Sequence, residues 1–98
     1  MVAWGEIGRT PRVNKDAGRD HWPYVMNAAI AGGGVRGGQV IGSSDAKGAY
    51  PKDNRKLPHD VLATIYRHLD MDYTVSYNDH TGRPHLVLSE GKPINELF

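Results

Sequence analysis

Residues 58–69 carry the most regular pattern in this sequence, and they limit the folds that the chain can adopt. Pro58 stands where the first turn of a helix tolerates proline, and Asp60 places a carboxylate near the positive end of that helix. Apolar side chains recur along one broad face, at Val61, Leu62, Ile65, Tyr66 and Leu69. Because an apolar stripe must be buried against other elements, this helix predicts a packed core around Val61, Ile65 and Leu69.

The other segments predict strands on both sides of that helix and a second helix before it. The apolar run at residues 1–4 is typical of a strand buried on both faces, and residues 5–18 are loop-like. Pro23 suits the first position of a helix over residues 23–31, which the glycines at 32–34 would end. Alternating strands and helices predict part of an α/β layer structure. The remaining predicted elements are a strand at 39–42, a surface segment at 43–57, strands at 73–77 and 85–88, and a turn at 78–82.

Size and charge exclude several classes of function. The 98 residues are enough for one domain with a small core. The 12 Lys+Arg and 11 Asp+Glu residues are interspersed, so the stripe of cations that nucleic acids require is absent. No apolar run approaches the ~20 residues that span a bilayer. The chain has no cysteine, which excludes disulfides and thiolate metal ligands.

The start of the sequence indicates a partial domain. The apolar run from Met1 to Trp4 has no polar lead-in, and complete proteins rarely begin inside a core strand. We therefore expect residues 1–98 to be a single partial domain, the C-terminal portion of a larger one. A true start followed by an N-terminal strand is the alternative.

Glu6 and Arg9 follow the first predicted strand and are candidates for a binding site. Ligands of open α/β sheets gather where strands end and loops begin. A carboxylate is a hard oxygen ligand for a divalent cation, and a guanidinium matches a pair of phosphate or sulfate oxygens. The alternative is a solvated Glu6–Arg9 pair in a turn.

His21 is the second candidate metal ligand. It lies between Asp20 and Trp22, so the Asp20 carboxylate could orient the imidazole ring and the Trp22 indole could shield one side of it. The alternative is a histidine that caps or packs at the start of the helix predicted at Pro23.

The glycine-rich run and the remaining histidines give weaker indications of a functional site. The run from Gly32 to Gly37 matches G-x-G-x-x-G, but it follows a predicted helix and precedes a strand, the reverse of a dinucleotide site. We interpret it as a helix end followed by a tight turn. The remaining histidines are interpreted as surface residues, namely His59, His68, His80 and His85.

Four motifs in order resemble the C-terminal end of the bacterial family called domain of unknown function 1501. They are Glu6-Ile7-Gly8-Arg9-Thr10-Pro11, Gly18-Arg19-Asp20-His21-Trp22-Pro23, Gly32-Gly33-Gly34-Val35-Arg36-Gly37-Gly38 and Asp60-Val61-Leu62-Ala63-Thr64-Ile65. The resemblance covers nearly the whole chain. It implies an α/β chain, the C-terminal fragment of a three-layer α/β/α domain similar to alkaline phosphatases and sulfatases. It also suggests an exported or periplasmic protein.

The resemblance further implies roles for three residues. Glu6 and His21 would bind a divalent metal ion, which could be zinc, calcium or magnesium, and Arg9 would bind a small anionic ester. Ile7 stands where phosphatases carry a neighbouring ligand histidine, so a one-metal or degenerate site is expected. The N-terminal portion of the same protein would supply the nucleophile and further ligands.

Two functions therefore remain open at this stage. The first is a metal-dependent hydrolase of phosphate or sulfate esters, inactive as this fragment, in which the tips of Glu6 and His21 converge within about 5–10 Å. The second is a non-catalytic exported protein, with a binding or structural role, on the same scaffold.

Overall fold

A computed structural model describes residues 1–98, which divide into two compact units, Met1–Arg55 with Phe98 and Lys56–Leu97. One α-helix, a short 3-10 helix at Asn95–Leu97 and short antiparallel strands make up the regular structure, which agrees with the predicted mixture of α and β elements. The strands pair only in twos: β1 with β4, β2 with β3, β5 with β6 and β7 with β8. In chain order the elements are β1 (Val2–Trp4), β2 (Gly8–Arg9), β3 (His21–Trp22), β4 (Ala28–Ile30), β5 (Ser43–Ser44), β6 (Pro51–Asp53), α1 (Pro58–His68), β7 (Ser76–Asn78) and β8 (Pro84–Leu86).

An interrupted antiparallel ribbon forms the first half of the first unit. Val2 pairs with Ile30 and Trp4 with Ala28, and further along the ribbon β2 pairs with β3. Residues 5–7 on one side face residues 23–27 on the other, so the ribbon bends between its two paired parts. The helix predicted over residues 23–31 is wrong, because the backbone of β4 takes β1 as its partner instead of bonding to itself.

The predicted burial of the first strand is also wrong. Val2–Trp4 is a strand, but it is exposed along its length, because only β4 lies beside it and no helix of this unit covers either face. No residue of Met1–Arg55 is buried. Contacts other than a large apolar core must therefore hold this unit together.

An aromatic cluster supplies part of that stabilisation. Trp22 packs edge-on against Tyr24 and Tyr50, with ring centroids 4.9 and 5.6 Å away. Its indole N–H donates to the carbonyl oxygen of Ala49 (2.6 Å), which ties β3 to the β5–β6 hairpin. This hairpin occupies the predicted surface segment. The strand predicted at 39–42 is wrong, because Val40 is 94% exposed and no second strand pairs there.

Helix α1 organises the second unit, as its apolar stripe predicts. The core consists of Val61, Ala63 and Thr64 from the helix with Ile94 and Leu97 from the C-terminal segment. The buried face of α1 differs slightly from the prediction, because Ile65 is only half-buried and Leu69 is 59% exposed. The predicted strands at 73–77 and 85–88 are confirmed as β7 and β8, with shifted bounds.

Two polar side chains of α1 fix the C-terminal segment to the helix. The Asp60 carboxylate accepts from the backbone N–H of Leu57 (2.7 Å) and of Lys92 (2.8 Å). The Thr64 hydroxyl donates to Asp60 O (2.6 Å) and accepts from the buried N–H of Ile94 (2.8 Å). One acid therefore caps the helix start and holds the segment that completes the core.

The same hydrogen-bonded loop occurs three times, at the tips of three hairpins. In each loop the side-chain oxygen of an Asn or Asp accepts from the backbone N–H two and four residues later, and the residue three positions later has a positive φ. The first residues are Asn14, Asp45 and Asp79, and the positive-φ residues are Ala17 (57°), Gly48 (67°) and Gly82 (82°). Alanine at position 17 is therefore strained where the other two loops use glycine.

Replacing Ala17 by glycine is expected to stabilise the first unit by about 0.5–1 kcal/mol. Relief of the left-handed strain outweighs the greater freedom that glycine gives the unfolded chain. Urea unfolding followed by tryptophan fluorescence measures the change. Ala46→Gly, in the matching β5–β6 loop at a position without positive φ, is the control and should destabilise. Equal destabilisation by both substitutions would show that Ala17 is not strained.

Candidate functional site

Arg9 and His21 are direct neighbours across the β2–β3 pair. The register joins Arg9 to His21 and Gly8 to Trp22, and the Thr10 N–H continues it by donating to Asp20 O (2.9 Å). Hydrogen-bonded and non-hydrogen-bonded residue pairs alternate along antiparallel strands. Because Thr10 and Asp20 are a hydrogen-bonded pair, Arg9 and His21 are a non-hydrogen-bonded pair, the kind whose side chains lie closer together. The ribbon therefore places the side chains of Arg9 and His21 on the same face as cross-strand neighbours.

The His21 ring is exposed and makes no hydrogen bond or ion pair. The alternative in which it caps a helix at Pro23 is wrong, because residues 23–27 contain no helix. Side chains alternate between the faces of a strand, so His21 lies on the face opposite Trp22. The anchored indole holds β3 from one side and leaves the ring of His21 open on the other.

Glu6 lies in the bend between β1 and β2, two residues before Gly8. Its carboxylate is exposed, as is Arg9, which agrees with the solvated alternative, although the two side chains form no ion pair with each other. Strand alternation does not fix the direction of a side chain within a bend. The convergence of Glu6 and His21 on one cation remains a prediction.

Two arginines of the β2–β3 hairpin are used differently. Nη1 of Arg19 donates to the carbonyl oxygens of Thr10 and Pro11, both at 2.7 Å. Nη1 of Arg9 makes one long hydrogen bond, 3.4 Å, to the carbonyl oxygen of Arg19. Arg9 thus keeps most of its donors for a ligand, whereas Arg19 is bound to the backbone. No sequence pattern signals this difference, because it depends on the register of the hairpin.

The donor set of a metal site is incomplete within this chain. No group of three or more His, Asp or Glu side chains is placed to hold a metal ion. Zinc sites in proteins use three or four protein ligands, and Glu6 with His21 would supply two. These residues could contribute to a metal site but do not form one alone.

Two other histidines pair with acids in the second unit. His85 Nε2 lies 3.0 Å from Asp79 Oδ2, and His59 Nδ1 lies 3.5 Å from Glu90 Oε1. The hydrogen bond from the Thr81 hydroxyl, followed by those from His85 and the Arg83 backbone, lowers the pKa of Asp79 to about 2. Because its oxygens are occupied by these donors, Asp79 serves the loop, and we assign it no ligand role.

Comparison with known proteins places the whole chain in one family. Residues 1–98 match the family described as "Protein of unknown function (DUF1501)". No curated protein and no solved structure matches the chain. The helices of the chain are too short or too polar to cross a membrane.

Proposed function

The chain belongs to the family of unknown function DUF1501, and we propose that it is part of a metal-dependent hydrolase of phosphate or sulfate esters. In this proposal the complete protein has a three-layer α/β/α domain similar to alkaline phosphatases, and another part of it supplies the nucleophile and the further ligands. The observation that carries the proposal is the pairing of Arg9 with His21, which brings an anion-binding group beside a metal-binding group.

Each residue has a separate task in the proposed site. His21 and Glu6 donate a ring nitrogen and a carboxylate oxygen, the donor types that suit zinc. Arg9 binds two oxygens of the ester through its planar guanidinium. A bound divalent metal would polarise the ester and lower the pKa of a coordinated nucleophile. Export of the complete protein from the cytoplasm is part of the same proposal.

The second candidate is a non-catalytic binding or structural protein on the same scaffold. The incomplete donor set fits this candidate as well as the first, since no group of three or more acids and histidines in this chain is placed to hold a metal ion. The complete protein distinguishes the two functions. Metal-dependent turnover of a phosphate or sulfate ester supports the hydrolase, and metal or anion binding without turnover supports the second candidate.

Metal binding by the 98-residue chain is the first test. Zn²⁺ titration followed by NMR should perturb the His21 ring and the Glu6 carboxylate together. His21→Ala and Glu6→Gln should each weaken this binding by about tenfold or more, because each removes one of two protein donors.

His80→Ala is the matched control, since the side chain of His80 is exposed and unbonded. It should leave the affinity for Zn²⁺ unchanged. The chain alone should not hydrolyse generic phosphate or sulfate esters above background. Zinc binding that survives both His21→Ala and Glu6→Gln would contradict the proposed ligands.

A further inference from the structure

The β2–β3 hairpin, residues 8–22, holds Arg9 and His21 of the candidate site and has no buried residue. Polar contacts stabilise it: the Asn14 side chain closes the tip and donates to Asp20 Oδ1 (3.2 Å), and the Asp20 N–H donates to the Thr10 hydroxyl (3.1 Å). Besides the backbone pairing and the anchored Trp22, a few side-chain hydrogen bonds therefore contribute to the geometry of the Arg9–His21 pair.

Arg19 makes two of the hydrogen bonds that span the hairpin beside Arg9, and the Thr10–Asp20 contacts make the others. Its guanidinium crosses from the returning strand to Thr10 O and Pro11 O, directly after Arg9. Its own carbonyl oxygen accepts from Arg9. Arg19 therefore holds the backbone of Thr10 and Pro11, which follows Arg9, and its own carbonyl oxygen is the acceptor for the Arg9 side chain.

We propose that Arg19 is the positioning residue of the candidate site. It holds the side chain of Arg9 beside His21, and Arg9 is the cation that binds the anionic group. The ligand role of Arg9 rests on the proposed function, whereas the positioning by Arg19 does not. Charge-assisted hydrogen bonds to two carbonyl oxygens are stronger than neutral ones, which suits a hairpin with no buried residue.

Without Arg19, the carbonyl oxygens of Thr10 and Pro11 lose their charged donor, and only the Thr10–Asp20 contacts hold the two sides of the hairpin together beside Arg9. Arg9 and His21 then no longer meet in one geometry. Loss of a residue that orients a metal ligand typically weakens metal affinity 10–100-fold, and by analogy we expect about a tenfold weaker affinity for an anion.

NMR on the 98-residue chain tests this with inorganic sulfate as the probe. The nuclear Overhauser contact between the Arg9 and His21 side chains should be present in the native chain and in Arg12→Gln. It should be lost in Arg19→Gln and restored in Arg19→Lys, because an ammonium can also donate to two carbonyl oxygens. Arg12 is the matched control: it lies in the same hairpin, carries the same charge and makes no side-chain hydrogen bond.

Sulfate should shift the Arg9 Nε–H resonance in the native chain. Arg9→Gln should abolish this binding, and Arg19→Gln should weaken it about tenfold while the resonances of α1 stay unchanged. An Arg9–His21 contact that persists in Arg19→Gln, or is lost equally in Arg12→Gln, would overturn the positioning role. A third outcome is that the Arg9–His21 contact depends on Arg19 but the native chain binds no sulfate. This outcome would support the positioning role of Arg19 and contradict the ligand role of Arg9.

Discussion

Replacing Gly8 by alanine is expected to unfold the β1–β4 and β2–β3 ribbon, at a cost of about 3–5 kcal/mol. A Cβ atom at this position would overlap the carbonyl oxygen of Val25 and lie 2.6 Å from that of Trp22. Both obstacles are backbone atoms, so a rotamer change cannot relieve the overlap. The backbone of Val25 lies directly against Gly8 at this bend, and only glycine leaves the necessary space.

Tryptophan fluorescence during urea unfolding measures this effect, because Trp22 lies beside Gly8 in the register. Gly37→Ala is the matched control: nothing lies within 4 Å of the added methyl group and its φ is not positive. It should change stability by less than about 0.5 kcal/mol. An equally small effect at Gly8 would show that the ribbon does not close as described.

Replacing Gly91 by alanine is expected to release the C-terminal segment from α1, also at about 3–5 kcal/mol. The added methyl group would overlap the carbonyl oxygen of His59 and lie 2.7 Å from its carbonyl carbon. Gly91 also has a φ of 114°, which alanine rarely adopts. The displaced segment would withdraw Ile94 and Leu97 from the core that they form with α1.

Circular dichroism of the helix during thermal unfolding measures this loss. Gly82→Ala separates its two causes, because Gly82 has a φ of 82° but open space around it. That control should cost about 1–2 kcal/mol, the backbone strain alone. If Gly91→Ala costs no more than Gly82→Ala, the packing of Gly91 against His59 plays no part in stability.

The sequence predicted the elements whose signals are local. The stripe and acidic first turn of α1 lie within twelve residues, and turn residues separate β7 from β8. The helix predicted at 23–31 failed because its apolar spacing also suits a strand, and the partner that decided the outcome, Val2–Trp4, lies more than twenty residues earlier. Pairing at that distance leaves no trace in a short window.

Some features of the candidate site could likewise be predicted from the sequence, and others could not. Residue types alone indicated Glu6, Arg9 and His21, because a carboxylate, a guanidinium and an imidazole are the groups that bind metals and anionic esters. Their chemistry does not reveal that Arg9 faces His21 or that Arg19 braces the hairpin. Those facts come from a register that depends on the Asn14 loop and the Thr10–Asp20 contacts.

Anomalous X-ray diffraction from crystals of the chain grown with Zn²⁺ tests the central claim most directly. We expect one zinc ion with a Glu6 carboxylate oxygen and a His21 ring nitrogen both about 2.0–2.3 Å away, and with the Arg9 guanidinium open to the same space. Zinc bound by His21 without Glu6, or only at the Asp79–His85 or His59–Glu90 pairs, would contradict the claim that Glu6 and His21 form the metal-binding half of an ester hydrolase site.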